Sequence, residues 1–422
     1  MAEHGDPAGR LSALLDRVAA VSPVEAVDVM ADELGVLFEA EQVRFLITDL
    51  SGRAVTRFGG TAANAARERQ QGAPHAPAVL LHGTVYQEVL RSQLPHLRDR
   101  EGGGVLLAVP VTDRGDTLGV LELELPVAPS GERVTQVVAA GRALAHVLLA
   151  CRRHTDLFEW AQRTTPFSLA AEIQRRLLPS AFTCESAQFT VAGWLEPANA
   201  VGGDTFDYAL DRDELHLSIT DAVGHDVQAA LLATVLVGSL RNSRRRGRGL
   251  LDQARTANDA LEAHSPRGEF VTGQLVRVDR RSGRAAIVNA GHPLPLRVRD
   301  GRTEELQLAV DLPFGIVPGR SFRAQEVALR PGDRLVLLTD GMLERNAAEL
   351  DVGALLARTA GLHPREVVQE LGSEVMRVTR SRLRDDATVL CLDWHGGPVG
   401  GREHDVPVRA TGRAAPRTGP GQ

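Results

Sequence analysis

Aspartates recur at the ends of strand-like segments in the second half of the chain. Except for Asp207, which lies between Phe206 and Tyr208, each stands beside a glycine, a small residue or another aspartate, and small neighbours allow tight turns and a close backbone approach. A single aspartate in such a place is usually a turn former or a helix N-cap. Four such segments in one region favour a shared site instead. The aspartates are Asp204 and Asp207 in "EPANAVGGDTFDYAL", Asp221 in "LSITDAVGHD", Asp340 in "RLVLLTDGMLE", and Asp385 and Asp386 in "RLRDDATVLCLDW".

Carboxylates that converge on one place repel each other unless cations lie between them. Mg²⁺ and Mn²⁺ prefer oxygen ligands from carboxylates, carbonyls and water. No cysteine lies within four residues of any of these aspartates, which disfavours zinc. The pattern therefore predicts a site for one divalent metal ion or a pair of them.

The composition excludes several other classes of function. The 422 residues include 48 basic and 54 acidic side chains, for a formal net charge of -6. This charge argues against nucleic acid or an anionic membrane as a partner. The sequence contains no lysine, which rules out a Schiff-base lysine and a Walker-A motif, and it contains neither GxSxG nor HExxH.

The cysteine and apolar patterns indicate the compartment. The three cysteines are far apart, so neither a disulfide framework nor a zinc knuckle is indicated, and a reducing cytoplasm is the simplest location. The first ten residues, "MAEHGDPAGR", lack the features of a signal peptide. Apolar stretches such as 229–240 are too short to span a bilayer. We therefore expect a soluble cytoplasmic protein with no membrane segment.

The elements that must position the aspartates follow a first segment of mixed helices and strands. Up to about residue 130 the order is helix, hairpin, helix, hairpin, and "LAVPV" and "LGVLELEL" form the last hairpin. From 133 to about 162 we expect a continuous helix, with apolar residues at heptad spacing. That helix either packs on the sheet of its own domain or pairs two protomers as a signalling helix in a homodimer. A second helix, "FSLAAEIQRRLLPSAF", places Leu169, Ile173 and Leu177 on one apolar face.

Two resemblances follow from these patterns. The first segment resembles a GAF sensory domain. The region from Leu169 to Trp394 resembles the bacterial PP2C-like phosphatases of the SpoIIE and RsbU type. It does so through "LAAEIQRRLLP", "PANAVGGDTFDY", "DAVGHDVQAALLATVL", "NAGHPLPL", "PFGI", "LRPGDRLVLLTDGMLE" and "RDDATVL" in that order. The resemblance implies an α+β chain in which a GAF-like domain precedes a four-layer αββα phosphatase domain with two metal ions, Mn²⁺ or Mg²⁺.

The resemblance also implies roles for individual residues. Asp221 and Asp340 correspond to catalytic aspartates, and Asp221 corresponds to the one that bridges both metals. Asp386 is left open between a metal ligand and a group that supports one. Asp207 is expected to support the site by holding the Gly202–Gly203 turn. The implied metal ligands are Asp204, Asp221, the carbonyl of Ala222, Asp340 and Asp385.

Other points stay open. Asp226 stands where the family usually has glycine, and it either repels phosphate or complements the dipole at a helix start. The general acid is unassigned, because His225 and His292 qualify on residue type alone and each fits a hydrogen-bonded turn as well. The run from Arg241 to Gly249 is either a site for an acidic partner or phosphate, or a solvated loop.

The resulting domain prediction has four parts. They are a GAF-like sensor over 1–132, a helical linker over 133–180, a phosphatase domain over 181–395 and a disordered tail over 396–422. The expected function is metal-dependent hydrolysis of phosphoserine or phosphothreonine on a phosphorylated anti-sigma-factor antagonist, regulated by a small-molecule ligand of the sensor. The alternatives are a catalytically silent scaffold of the same fold and an unrelated hydrolase.

Overall fold

The computed structural model describes residues 7–61, 78–164, 168–197, 202–224, 226–265, 268–343, 350–380 and 382–397. The described chain forms two compact units. The first contains residues 7–113 and 117–164, and the second contains residues 114–116 and 168–397. His225 and nearly all of the predicted tail lie outside the described residues.

The first unit is built on one six-stranded sheet. The strands are β1 (Gln42–Thr48), β2 (Ala54–Gly60), β3 (Ala78–Leu80), β4 (His96–Asp99), β5 (Val105–Asp113) and β6 (Asp116–Leu125). Their order in the sheet is β3-β2-β1-β6-β5-β4. The helices are α1 (Pro7–Ala20), α2 (Ala26–Phe38), α3 (Val85–Ser92), α4 (Gly131–Cys151) and α5 (Leu157–Ala161). Apolar residues of α1, α2, α4 and α5 share the larger core with one face of the sheet, and α3 packs on the other face.

The continuous helix expected over 133–162 is wrong in its length. Helix α4 ends at Cys151, a 3-10 turn covers Arg152–His154, and Thr155 is extended. The chain turns back because Phe158 and Ala161 of α5 are buried in the core, where the carbonyl of Ala161 accepts a 2.5 Å hydrogen bond from Thr56. The heptad seam of α4 packs in the same core, as the first of the two hypotheses for this helix expects.

The same helix bears on the membrane prediction. Among the described residues, the stretch 131–154 is one helix that is long and apolar enough to cross a membrane by length and composition. Charged residues such as Arg142 interrupt this stretch, so it contains no long uninterrupted apolar run and the sequence-based prediction did not include it. Several of its apolar side chains, including Val137, Leu144 and Leu148, belong to the core of the first unit. Burial in a core accounts for an apolar face of this kind.

The second unit contains two sheets. The strands are β7 (Thr183–Glu185), β8 (Phe189–Glu196), β9 (Asp204–Leu210), β10 (Glu214–Ala222), β11 (Val271–Asp279), β12 (Arg284–Ala290), β13 (Leu296–Arg299), β14 (Arg302–Glu305), β15 (Gln325–Ala328), β16 (Arg334–Leu338) and β17 (Ala387–Trp394). The first sheet has the order β15-β12-β11-β10-β9, and the second has the order β14-β13-β16-β17-β8-β7. The helices are α6 (Leu169–Leu177), α7 (Asp226–Arg245), α8 (Leu250–His264), α9 (Val352–Arg358) and α10 (Pro364–Val378).

The two sheets lie face to face between layers of helices. Phe206 and Ile219 of the first sheet share one core with Phe189, Leu337 and Leu390 of the second. Helices α7 and α8 pack on the outer face of the first sheet, and α9 and α10 pack on the outer face of the second. Alternate strand residues point to opposite faces, so each strand supplies both an inner and an outer core. The described part of this unit thus has the predicted αββα layers.

Candidate metal centre

Asp204 and Asp221 lie directly opposite each other on neighbouring strands. Asp204 begins β9, Asp221 is the last residue but one of β10, and the two are register partners in the antiparallel pair. Both lie on the face of the first sheet that is turned toward the second, because Phe206 and Ile219, each two residues away, are in the core between the sheets. Asp204 is only 1% exposed.

Gly203 allows the backbone before Asp204 to lie directly against the backbone of Ala222. The Ala222 amide donates to the Gly203 carbonyl at 3.2 Å. A Cβ atom at position 203 would lie 2.6 Å from the carbonyl oxygen of Ala222, which is too close for any side chain. The small residue before Asp204 is therefore required by a close backbone approach, as the sequence suggested.

Two buried threonines of the second sheet hold the Asp204 carboxylate. The Thr339 hydroxyl donates to Oδ2 of Asp204 at 2.7 Å, and the Thr388 hydroxyl donates to the same oxygen at 2.6 Å. Thr339 follows β16, and Thr388 is the second residue of β17. The sequence analysis missed both residues, although each is within three positions of a predicted ligand.

Gln174 connects helix α6 to the same group. Its Nε2 donates to the Asp204 carbonyl at 2.8 Å and to Oδ2 of Asp386 at 2.6 Å. Gln174 is 2% exposed, and Asp386 is 1% exposed. Asp386 therefore has a buried partner on a helix that precedes it by about 200 residues of chain.

The apolar face predicted for α6 is partly wrong. Leu169 is 65% exposed and Ile173 is half-buried, whereas Ala170, Ala171 and Gln174 are buried together with Leu177. These buried positions are i, i+1, i+4 and i+7, which lie on one face of the helix. A glutamine within that stripe was the sequence signal for a polar contact, and it could have identified Gln174.

The remaining aspartates stand at the ends of two paired strands of the second sheet. Asp340 follows β16 in a 3-10 turn and is exposed, whereas Asp385 and Asp386 immediately precede β17. The Asp386 amide donates to Oδ1 of Asp385 at 2.8 Å. Gly341 lies against this segment, because a Cβ atom there would be 2.0 Å from the carbonyl oxygen of Asp386.

The carboxylates are close enough to change one another's proton affinity. Burial raises the pKa of Asp204 well above its ordinary 3.8, and the charges of Asp221 and Asp386 raise it further. Burial likewise raises the pKa of Asp221 from 3.8 to about 7, with added repulsion from Asp340, Asp385 and Asp386. Mutual repulsion of this kind is relieved either by protons or by bound cations.

The donor chemistry fits hard divalent cations. Five aspartates, Asp204, Asp221, Asp340, Asp385 and Asp386, offer carboxylate oxygens, and the carbonyl of Ala222 follows Asp221 directly. None of the described cysteines belongs to this group. As the side chains stand, no three His, Cys, Asp or Glu residues in the described ranges form a ready group of metal ligands. The arrangement is therefore a cluster of repelling carboxylates that a cation would draw together.

Asp207 is not part of this cluster, so the prediction that it holds the Gly202–Gly203 turn is wrong. It lies on the opposite face of β9 from Asp204, because side chains alternate along a strand. Its oxygens accept hydrogen bonds from Arg241 at 3.0 and 3.1 Å and from Arg244 at 3.1 Å. The first two arginines of the run that begins at Arg241 are therefore half-buried partners of a buried carboxylate.

His292 occupies a hydrogen-bonded turn. Its Nδ1 lies 2.9 Å from the Thr272 hydroxyl, and Asn289 contacts both its amide and its carbonyl at 2.9 Å. Burial lowers the pKa of His292 from 6.5 to about 3, so the ring is neutral at physiological pH. A neutral ring does not serve as a cationic general acid. His225 and the Asp226 side chain lie outside the described residues.

Comparisons with known proteins place this region in a family. Residues 211–395 match the family described as Stage II sporulation protein E (SpoIIE). Phosphoserine phosphatase RsbP of Bacillus subtilis (strain 168) is 23% identical over 185 residues, which cover 43% of this chain and 45% of RsbP. Phosphoserine phosphatase RsbU of the same organism is 21% identical over 231 residues, covering 53% of this chain and 68% of RsbU. The chain thus spans less than half of the length of RsbP.

Solved structures give similar matches. The RsbU and RsbW domains of Rv1364c from Mycobacterium tuberculosis are 26% identical, with a TM-score of 0.44, covering 50% of this chain and 62% of that one. The SiaA-PP2C domain of Pseudomonas aeruginosa is 22% identical, with a TM-score of 0.42, and the match covers 48% of this chain and 84% of that one. Together with the match over residues 211–395, the homology to RsbP and RsbU leads to one conclusion: the chain carries a SpoIIE-type, PP2C-like phosphatase domain.

Proposed function

We propose that the second unit is a divalent-metal-dependent phosphatase that hydrolyses phosphoserine or phosphothreonine in a protein. The observation that carries the proposal is the register pairing of Asp204 with Asp221 and the raised pKa of each. Burying two carboxylates face to face costs stability unless a cation or a proton compensates for it. A site that binds cations accounts for an arrangement that packing alone does not require.

The proposed ligands come from both sheets. Asp204, Asp221 and the Ala222 carbonyl come from the first sheet, and Asp340 and Asp385 come from the ends of β16 and β17. When bound, two ions such as Mn²⁺ or Mg²⁺ would lower the pKa of a water molecule and neutralise phosphoryl oxygens.

The neighbouring groups of the chain would fix these ligands. Thr339 and Thr388 orient Asp204, and Gln174 holds Asp386. We propose that Asp386 supports the ligands rather than binding an ion, because one of its oxygens already accepts from Gln174. The role of general acid remains unassigned.

The names of two homologues support the substrate class that we propose. RsbP and RsbU are named as phosphoserine phosphatases, and the stretches similar to them cover 43% and 53% of this chain. A phosphorylated anti-sigma-factor antagonist, the substrate class that the sequence resemblance implied, is the substrate we propose. A phosphoprotein carries its phosphate on an exposed side chain, and exposed Asp340 at the rim is accessible to such a group.

The first unit is proposed as a GAF-like sensor that binds a small molecule. Helix α6 is then the element through which a signal reaches the carboxylates, because Gln174 contacts both Asp204 and Asp386. A cytoplasmic location and a homodimer belong to this proposal as well.

A catalytically silent scaffold of the same fold is the second candidate. It is favoured by one observation, namely that no three side-chain ligands in the described ranges stand ready around one point. The scaffold predicts partner binding without metal-dependent turnover, so a single assay separates the two candidates.

The test is phosphate release from p-nitrophenyl phosphate and from a phosphoserine peptide. The full chain is assayed with Mn²⁺, with Mg²⁺ and with excess chelator. We expect turnover only with metal, and we expect Asp259→Asn, a change at an exposed position of α8, to keep that turnover. Mn²⁺ binding without turnover of either substrate would favour the scaffold.

A further inference from the structure

One carboxylate oxygen of Asp204 accepts two hydrogen bonds from residues beside the second sheet. Its Oδ2 accepts hydrogen bonds from both Thr339 and Thr388, at 2.7 and 2.6 Å, and both threonines are fully buried. A carboxylate oxygen has about two lone-pair sites, so Oδ2 is saturated by these donors. Only Oδ1 remains free to face Asp221 or an ion.

The two threonines are also fixed to each other. The Thr388 amide donates to the Thr339 hydroxyl at 3.0 Å, and the Thr339 amide donates to the Thr388 carbonyl at 3.1 Å. Each hydroxyl therefore has a defined direction, and the pair acts as one rigid clamp. The bonds from the two hydroxyls to the Asp204 carboxylate are charge-assisted when Asp204 is ionised, and such bonds are stronger than those between neutral groups.

The clamp joins the two halves of the carboxylate cluster. Asp204 belongs to the first sheet, whereas Thr339 immediately precedes Asp340, and Thr388 follows Asp386 by two residues. A displacement of Asp204 relative to Thr339 and Thr388 would therefore change the spacing between Asp204 and the ligands at the ends of β16 and β17.

We infer that Thr339 and Thr388 are positioning residues of the proposed metal centre, which saturate one oxygen of Asp204 and set its distance from the aspartates of the second sheet. This inference rests on the proposed function. Metal ligands depend on the groups that orient them, and loss of such a group typically weakens metal binding by about 10- to 100-fold.

A matched pair of threonines distinguishes this role from ordinary packing. Thr205 and Thr220 lie on β9 and β10, each next to an aspartate of the pair, and their hydroxyls are 2.6 Å apart. Both are 1% exposed, but they lie on the opposite face from Asp204 and Asp221. Thr205→Val thus removes an equally buried hydroxyl bond beside Asp204 without touching its carboxylate.

The experiment measures Mn²⁺ binding directly on the full chain, from the electron paramagnetic resonance signal of free Mn²⁺. We expect Thr339→Val and Thr388→Val to weaken binding by about tenfold or more. The conservative variants Thr339→Ser and Thr388→Ser should restore binding to within about threefold of the wild type, because they keep the hydroxyl. Thr205→Val should bind Mn²⁺ like the wild type even if it unfolds at a lower temperature.

Three outcomes are informative. Wild-type affinity in both valine variants, or an equal loss in Thr205→Val, overturns the inference and leaves the proposed function standing. Absence of Mn²⁺ binding by the wild type overturns the proposed function, and the inference with it. If a valine variant does not fold in chelator, Thr339→Ala or Thr388→Ala takes its place with the same expected loss, and the serine variant remains its control.

Discussion

The side-chain amide of Gln174 donates to the carboxylate of Asp386 at 2.6 Å, although the two residues are 212 positions apart in the chain. The same nitrogen reaches the carbonyl of Asp204 at 2.8 Å. One buried glutamine therefore connects helix α6 with residues from both sheets. Any movement of α6 that displaces Gln174 removes a donor from the carboxylate cluster.

We predict that Gln174→Glu loosens helix α6. The change removes a donor and places a second carboxylate against Asp386, where like charges repel. Amide hydrogen exchange of residues 169–177, measured in chelator, should become at least about tenfold faster, as expected for loss of a buried hydrogen bond to a charged group. Gln253→Glu is the control, since Gln253 is also buried but lies on α8, where its side chain donates to the Arg248 carbonyl. Unchanged exchange at α6 would show that the contact does not hold the helix.

Asp221→Asn and Asp340→Asn should each abolish metal-dependent phosphate release while the fold remains intact. Each change removes one negative ligand, and we expect turnover to fall by at least about 100-fold at saturating Mn²⁺. Circular dichroism and the exposed control Asp259→Asn establish that the loss is local. Turnover near the wild-type level in either variant would show that the residue is not a ligand.

The metal-free protein should lose stability as the pH rises from about 5 to 8. The pKa of Asp221 is about 7 in the folded chain against an ordinary 3.8, so the folded state holds a proton that the unfolded state has released. Stability from this source is complete below about pH 4 and is lost as the pH passes 7. Asp204, whose pKa is also raised, contributes in the same direction.

Thermal unfolding in chelator, recorded at several pH values, measures this effect. Asp221→Asn should show a smaller decrease between pH 5 and 8 and a higher unfolding temperature at pH 8 than the wild type. Saturating Mn²⁺ should make the fall in unfolding temperature between pH 5 and 8 smaller in the wild type, because bound cations neutralise the carboxylates once they are deprotonated. A flat wild-type profile in chelator would contradict the raised pKa of Asp221.

Arg241→Gln should destabilise the second unit without weakening Mn²⁺ binding. Arg241 pairs with the buried carboxylate of Asp207 and also donates to the Leu177 carbonyl at the end of α6 at 2.5 Å. Removing one partner of a buried ion pair costs about 3 kcal/mol, and Arg244 offsets part of that cost. Urea unfolding measures the free energy, with the exposed Arg245→Gln as control. Equal stability of the two variants would show that the pair of Arg241 and Asp207 does not stabilise the second unit.

The sequence was sufficient for features that depend on local chemistry. Asp204, Asp221, Asp340 and Asp385 could be selected as candidates because an aspartate at the end of an apolar strand is visible within about ten residues of chain, and their role as metal ligands stays a prediction. The layers of the second unit followed from the resemblance of its motifs. Both predictions use information that lies close together in the sequence.

Contacts between distant segments were not predictable in this way. Asp207 looked like a turn residue, but its partner Arg241 lies 34 positions later on a helix. The end of α4 depends on the burial of Phe158, which no helix propensity describes. Thr339 and Thr388 resemble ordinary strand threonines until Asp204 is placed beside them. Each miss is a case in which tertiary packing decides the role of a common residue.

Gly341 sets the distance between the segment of Asp340 and the segment of Asp386. Its backbone conformation is open to any residue, because it is absent from the described glycines with positive φ. Only space forbids a side chain there, since a Cβ atom would lie 2.0 Å from the Asp386 carbonyl oxygen. A single methyl group at this position would act as a wedge and move the segments of Asp340 and Asp386 apart by on the order of 1 Å. Because Gly341 has no side chain, the segments of Asp340 and Asp386 can lie this close together, and the glycine thereby limits the width of the site.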